Sequence, residues 1–503
     1  MGKLNKEVKV VRKILLKAAL LLVLSACSAC TRQPGDIPAN KVIPTPQQIA
    51  YQKMELIGFV HFTVNTFTDR EWGNGDESPD LFHPTALNTR QWARVAQESG
   101  LRQLILTAKH HDGFCLWPSQ FGEHTVKQSP YKAGQGDVVR EFVDACREYG
   151  LKAGLYLSPW DRNHAMYGSP EYLDYYRNQL SELLSNYGEI SEIWFDGANG
   201  GTGYYGGAYE ERRIDRETYY QWGQIFDLVK RLQPNILIFS DAGPDIRWIG
   251  NEHGFAGETN WSMIDAGKTV IGAADTKYLN SGDPNGTNWV VGECDVSIRP
   301  GWFYHQSQDS LVKTPQELVD IYYKSVGRNG LLLLNIPPDR RGLFHERDVQ
   351  ALKTFKSIID ETFQVNLAQG AQVTADNTRL QHRKFSPANI VDADPESYWA
   401  ADDGVSQATL EIELPAEVLF DRIMIQEPIR FGQRISHFSV EAELDGTWQK
   451  FAEGTTVGYK RLLRINPVKA GKIRLILAES NNVPAISNFG IFKASSAEGA
   501  AID

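Results

Sequence analysis

Apolar, strand-forming runs alternate with helical stretches from residue 56 to residue 361, and this rhythm narrows the fold more than any other feature. The runs lie at 56–62, 104–107, 153–157, 190–195, 236–239 and 331–335. Between them, apolar residues recur at helical spacing over 85–99, 138–149, 170–187, 219–232, 315–327 and 347–361. Strands that alternate with helices run parallel, because each crossover must return the chain to the same end of the sheet. Weaker runs at 269–272 and 290–292 would raise the count to eight, so a closed (β/α)8-like barrel is expected. No Gly-rich phosphate loop follows an early strand, which disfavours an open doubly wound sheet.

The pattern changes after Phe363. Residues 366–495 lose helical spacing and show short alternating runs at 409–414, 422–426, 438–444 and 473–477, separated by turn residues. That predicts a second domain, an all-β sandwich of antiparallel strands. The expected organisation is 1–26 targeting segment, 27–45 tether, 46–362 barrel and 366–495 sandwich.

The N-terminus carries Lys3, Lys6, Lys9, Arg12, Lys13 and Lys17, then an apolar run at 18–24 too short to span a bilayer. Its ending, LSAC, resembles a bacterial lipoprotein signal, which implies lipidation of Cys27. Cys30 repeats the spacing without a hydrophobic residue three positions before it. An ordinary cleaved signal peptide is the alternative, and either one exports the protein. The expectation is a lipoprotein at the periplasm or outer-membrane surface, held to the membrane by a lipid anchor. Cys115, Cys146 and Cys294 are too scattered for a metal motif or a disulfide framework. A formal charge of -10 excludes nucleic acid as a partner class.

Candidate site residues sit where barrel strands should end, the face that carries active sites in such folds. His61 closes the first strand, with Glu71 and Trp72 on the loop beyond it. KHHDGFCLW closes the second and sets His110 beside His111; SPWDRNH closes the third and contains Trp160. The stretch ISEIWFDG closes the fourth on Asp196, where Gly197 would let the chain leave sharply with room for a ligand. A long segment after the fifth strand offers Glu252 and Glu258.

Metal-assisted hydrolysis is disfavoured, because adjacent side chains on a strand point to opposite faces and no HxH or HxxxH spacing appears in these loops. Glycoside hydrolysis suits the set: two carboxylates act across the scissile bond, and neutral imidazoles donate to and accept from ring hydroxyls. Trp72, Trp160, Trp261 and Trp302 could offer flat faces to a sugar.

FVHFTVNTF, KHHDGFCLW, LSPWD, WFDG and GPDIRWIGNE, in that order within residues 46–360, resemble the α-L-fucosidases of glycoside hydrolase family 29. The resemblance implies a retaining, cofactor-free mechanism on fucosylated glycans, with Asp196 as nucleophile and His61, His110, His111, Glu71 and Trp72 around fucose. GNE resembles the branch acting on α1,3/1,4-linked fucose, which implies Glu252 as acid/base, with Glu258 the alternative. GECDVSIRPGWFYH, which includes Trp302, also resembles that branch and implies contact with the adjoining sugar. FSPANIVDADPESYW resembles discoidin-like, factor 5/8 type C modules, which often bind glycans and in some cases hold a structural calcium. A catalytically inactive, glycan-binding surface lipoprotein is the competing reading, and the presence of both Asp196 and Glu252 argues against it.

Overall fold

The computed structural model describes residues 35–498, so the targeting segment and Cys27 lie outside the described residues. Eight parallel strands form a closed barrel: β1 Leu56–Val60, β2 Gln103–Lys109, β3 Lys152–Leu157, β4 Glu192–Trp194, β5 Leu237–Ser240, β6 Ile246–Trp248, β7 Val291–Ser297 and β8 Leu331–Asn335. They follow one another around the ring in chain order. β1 closes it by pairing with both neighbours, Phe59 opposite Asn335 of β8 and Val60 opposite Leu106 of β2.

Outside the ring lie helices α1 Thr89–Glu98, α2 Val138–Glu148, α3 Pro170–Asn186, α4 Trp222–Leu232, α5 Pro315–Lys324 and α6 Glu346–Phe363. Their apolar stripes explain the strands' composition. All seven residues of β2 are buried, one face under helices and the other inside the barrel, so the strand reads as apolar without alternation. On α2 the buried residues Val138, Val139, Phe142, Val143, Ala145 and Cys146 form one face. Asp137 starts that helix by accepting from Arg140 N, a cap whose removal costs about 1 kcal/mol.

The sixth strand corrects the sequence reading. It is Ile246–Trp248, whereas the expected run at 269–272 is irregular chain. Arg247 conceals it: a central charge in a three-residue strand erases any apolar signal. Its guanidinium is nevertheless fully buried, donating to Leu279 O at 3.0 Å, Asn260 Oδ1 at 2.9 Å and Trp261 O at 2.9 Å. No helix separates β5 from β6, and Glu252 therefore follows β6 rather than β5.

The second domain is an antiparallel all-β unit. Its strands are β9 Gln372–Ala375, β10 Ala408–Gln426, β11 Ile435–Leu444, β12 Thr447–Gly454, β13 Arg461–Ser480 and β14 Asn488–Phe492. The order is β9-β10-β13-β11-β12, with β14 paired to the far half of β10. A register shift between Glu413 and Val418 divides the long β10–β13 ladder into halves with different neighbours. Alternation along β11 sends Phe438, Val440 and Ala442 into the core, as the period of two requires.

Part of the expected tether is folded structure. Ile37 is buried in the core of the second domain, and Asn40 N donates to Phe431 O at 2.8 Å. Pro and small polar residues gave this stretch the composition of a linker, but the burial of Ile37 and hydrogen bonds at Asp36 and Asn40 seat it on the second domain.

Candidate active site

Side chains at the C-terminal ends of the strands enclose a cavity of about 190 Å³ lined by Phe59, His61, Glu71, Trp72, His110, His111, Tyr156, Trp194, Asp196, Glu252, Asp295 and Trp302. A larger hollow of about 550 Å³ opens near Pro46 and Leu232, away from these residues; it holds no histidine and a single carboxylate, Glu189.

Phe59, Tyr156 and Trp194 form the aromatic floor, with Trp194 stacked on Tyr156 at 5.3 Å and on Phe239 at 4.0 Å. These floor residues were missed from sequence, although a signal existed. Phe59 lies two positions before His61, Tyr156 two before Ser158, and Trp194 two before Asp196, so the strand period places each on the same face as a site residue.

Asp196 stands above Trp194. Ala198 N donates to its Oδ1 at 2.7 Å, and the Tyr156 hydroxyl donates to Oδ2 at 3.1 Å. At Gly197 a Cβ would lie 2.1 Å from Asp241 Oδ2, so the glycine gives that carboxyl group its space. Burial first, then the Asp196 charge, push the Asp241 carboxyl up to about 6.

The three histidines present defined atoms. Nδ1 of His61 lies 2.8 Å from Asn335 Oδ1, and Asn335 Nδ2 is occupied donating to Ser297 Oγ and Trp302 O. Oδ1 must therefore accept, His61 Nδ1 carries the proton, and Nε2 is left as an acceptor. Burial drives the His61 pKa down to about 3, so the ring is neutral. Ser158 Oγ donates to Trp160 O and accepts from His111 Nδ1 at 2.7 Å. His111 thus turns Nε2 toward Asp196 Oδ2, 3.8 Å away. Its pKa is lowered by burial against the pull of Asp196. His110 is held well below its ordinary value by burial and the two other histidines, and its Nδ1 is buried without a hydrogen-bond partner among the described residues.

His110 and His111 do not point to opposite faces. β2 ends at Lys109, both residues lie in the turn beyond it, and their ring centroids are 4.2 Å apart over one cavity. Lys109 anchors that turn from beneath, donating to Asp161 Oδ2 at 3.1 Å and Gln179 Oε1 at 2.9 Å among three tyrosine rings. Among the described residues no group of three or more His, Cys, Asp or Glu side chains is arranged to hold a metal ion.

Glu252 reaches the cavity from a loop wound around Asn251, whose amide bonds Phe255 O and accepts from His253 N. Gly250 lies at φ 88°, with Thr276 O only 2.3 Å from where a Cβ would stand. Trp302 Nε1 donates to Glu252 Oε2 at 3.2 Å. Burial raises the Glu252 pKa; the charges of Asp196 and Glu71 add to this, while the Trp302 bond opposes it.

Glu71 lines the cavity but is heavily engaged, accepting from Trp302 N at 2.7 Å, Phe303 N at 3.3 Å and His305 Nε2 at 2.6 Å. The loop after β1 is thereby clasped to the loop after β7. Trp72, 53% exposed, stands edge-on to His111 and Trp160 at the rim. Trp160 is one layer back: it donates Nε1 to Tyr205 Oη at 2.9 Å and supports His111 without lining the cavity. Trp261 is buried in the barrel core, also outside the lining. Glu258 lies at the boundary between domains, bonded to Arg328 and, at 2.7 Å, to Arg461 Nη2 of the second domain.

The arrangement sets Asp196 and Glu252 at one small cavity with neutral imidazole acceptors and an aromatic floor, a set able to bind and cleave at a single sugar ring. Comparison with known proteins agrees. The Alpha-L-fucosidase family profile matches residues 46–359, and the F5/8 type C domain profile matches residues 372–489. The chain is 44% identical over 455 residues to Alpha-L-fucosidase 1 of Arabidopsis thaliana, covering 90% of this chain and 87% of that protein. A putative alpha-L-fucosidase from Bacteroides thetaiotaomicron superposes with a TM-score of 0.84 at 42% identity, covering 92% of this chain and 100% of that one. A Ruminococcus gnavus GH29 fucosidase in complex with fucose superposes with a TM-score of 0.81 at 33% identity, covering 92% and 97%.

Proposed function

Because the chain belongs to the alpha-L-fucosidase family and is a glycoside hydrolase, we propose that it removes terminal α1,3/1,4-linked fucose from glycans by double displacement with retention of configuration. The observation that carries this reading is the presence of Asp196 and Glu252 on one cavity with contrasting surroundings. Asp196 accepts hydrogen bonds on both oxygens, from Ala198 N and the Tyr156 hydroxyl, whereas Glu252 is pushed toward the protonated form by burial and by its anionic neighbours.

In the first step Asp196 attacks the anomeric carbon as Glu252 gives its proton to the departing glycosidic oxygen. In the second, Glu252 takes a proton from water, which displaces Asp196 and releases fucose. His61 and His111 accept from ring hydroxyls through Nε2, and bonds that tighten at the transition state raise turnover. Glu258 is assigned a role in holding the domains together. The route draws on side chains alone. Support for the α1,3/1,4 preference comes from the GNE and GECDVSIRPGWFYH segments, the latter contributing Trp302 to the cavity lining. The LSAC sequence supports export and anchoring through Cys27, and the second domain is proposed to bind glycan.

The test is the configuration of the first-formed sugar, followed by proton NMR before mutarotation. α-Fucose is expected; β-fucose would exclude double displacement.

A further inference from the structure

Besides Asp196, Glu252 and the engaged Glu71, the cavity wall carries a fourth carboxyl group, Asp295 of β7, which the mechanism leaves without a task. Inward-facing residues on that strand alternate as Glu293, Asp295 and Ser297, and Asp295 is the one that reaches the cavity. It is 4% exposed, and among the described residues no cation pairs with it. Its side-chain partner among the described residues is the Trp248 indole, which donates to Oδ1 at 2.8 Å. An indole nitrogen only donates, so Oδ1 serves as acceptor and a proton on the group belongs on Oδ2.

The titratable groups around it are acidic: Glu252 on the loop after β6, Glu293 below on the same strand, and Asp196 and Glu71, which line the same cavity. The neighbouring strand β8 contributes neutral Asn335, and β1 contributes neutral His61. An ionised Asp295 would have no compensating positive charge, and such a group takes up a proton instead. Burial, then Glu252 and Glu293, hold its pKa well above the ordinary carboxylate range.

The hydrogen-bond inventory of the cavity shows what a neutral acid would add. His61 Nε2, His111 Nε2 and the Asp196 oxygens all accept, the Trp302 indole N–H is engaged with Glu252, and the neutral His110 ring has one N–H to give. Sugar hydroxyls donate, but each also has lone pairs that need donors in a dry site. We infer that Asp295 is a substrate-binding residue that acts as a neutral carboxylic acid, its Oδ2–H donating to a hydroxyl oxygen of the fucosyl ring. This rests on the reading of the cavity as a fucosidase site.

The experiment compares wild type, Asp295→Asn and Asp295→Ala for kcat and KM on an aryl α-fucoside, for inhibition by free fucose, for pH profile and for melting temperature. Asparagine keeps an acceptor for Trp248 and offers an amide donor in place of Oδ2–H, so Asp295→Asn should hold kcat/KM within about three-fold with an unmoved alkaline limb. Asp295→Ala should weaken fucose inhibition about ten-fold. If Asp295→Ala fails to fold, Asp295→Asn decides alone. A loss of about a hundred-fold in Asp295→Asn, or a fall of its alkaline limb, would show that the working group is a carboxylate and overturn the inference. Wild type that releases no fucose would instead sink the parent reading.

Discussion

The Trp302 indole nitrogen lies 3.2 Å from Glu252 Oε2, so the loop after β7 grips one oxygen of a carboxyl group carried by the loop after β6. That bond favours the ionised carboxylate and opposes the upward push of burial. Trp302→Phe keeps the aromatic wall and removes the donor. The Glu252 pKa should then rise, moving the alkaline limb of kcat/KM to higher pH while kcat/KM falls about ten-fold. An alkaline limb that stays fixed or moves down would separate Glu252 from the acid role.

Removing either carboxylate should fail in its own way. Asp196→Ala should abolish turnover on every leaving group, since no covalent intermediate can form. Glu252→Ala should lose about 10²–10⁴-fold on poor leaving groups and far less on an activated aryl fucoside. Azide should restore the rate of Glu252→Ala with α-fucosyl azide as product, whereas rescue of Asp196→Ala should give the β azide. Glu258→Ala, its ion pairs being at the domain boundary, should keep turnover within about two-fold and lose at most about 1 kcal/mol of stability. Formation of α-fucosyl azide from the Glu258 variant alone would transfer the acid/base role to that residue.

The proposed linkage preference concerns the sugar that adjoins fucose, beside a cavity that Trp72 and Trp302 both line. Binding energy from the adjoining sugar can be used at the transition state, so a substrate lacking that sugar should lose turnover as well as affinity. Lewis-type branched trisaccharides should release fucose faster than an α1,2-linked disaccharide. Equal initial rates on the two would count against the α1,3/1,4 assignment.

Asp112, next to the histidine pair, should leave a mark on stability. Burial holds its carboxyl up at about 7 despite hydrogen bonds from Phe114 N and Thr63 Oγ1. With the folded pKa above the unfolded one, its contribution is full below the ordinary carboxylate range and is lost as pH rises through about 7. Asp112→Asn stays neutral and can keep both partners, so above that pH its melting temperature should exceed wild type by roughly 2 °C. A parallel fall of both proteins with pH would assign the slope to other groups.

Anchoring is tested at Cys27. Cys27→Ser should leave the protein unlipidated and absent from the membrane fraction. Wild type that carries no acyl group yet partitions to the membrane identically would refute the anchor.

Much of the architecture is a local property of the chain. Apolar periodicity marks strands and helices because burial acts on faces, and a strand that ends in HF, KHH or WFD already offers those side chains to the barrel mouth. The order of these segments was sufficient to identify the family and to propose Asp196 and Glu252. Tertiary structure decided everything that depends on which distant groups meet. It placed the sixth strand at Arg247, whose charge hides the strand from any periodicity argument yet is satisfied by carbonyls from other segments. It turned His110 and His111 toward one cavity, moved Trp160 back a layer and drew Glu258 to Arg461. It also set Asp295 beside Glu252, 43 positions away along the chain, where removal from water rather than residue type determines which carboxyl group holds a proton.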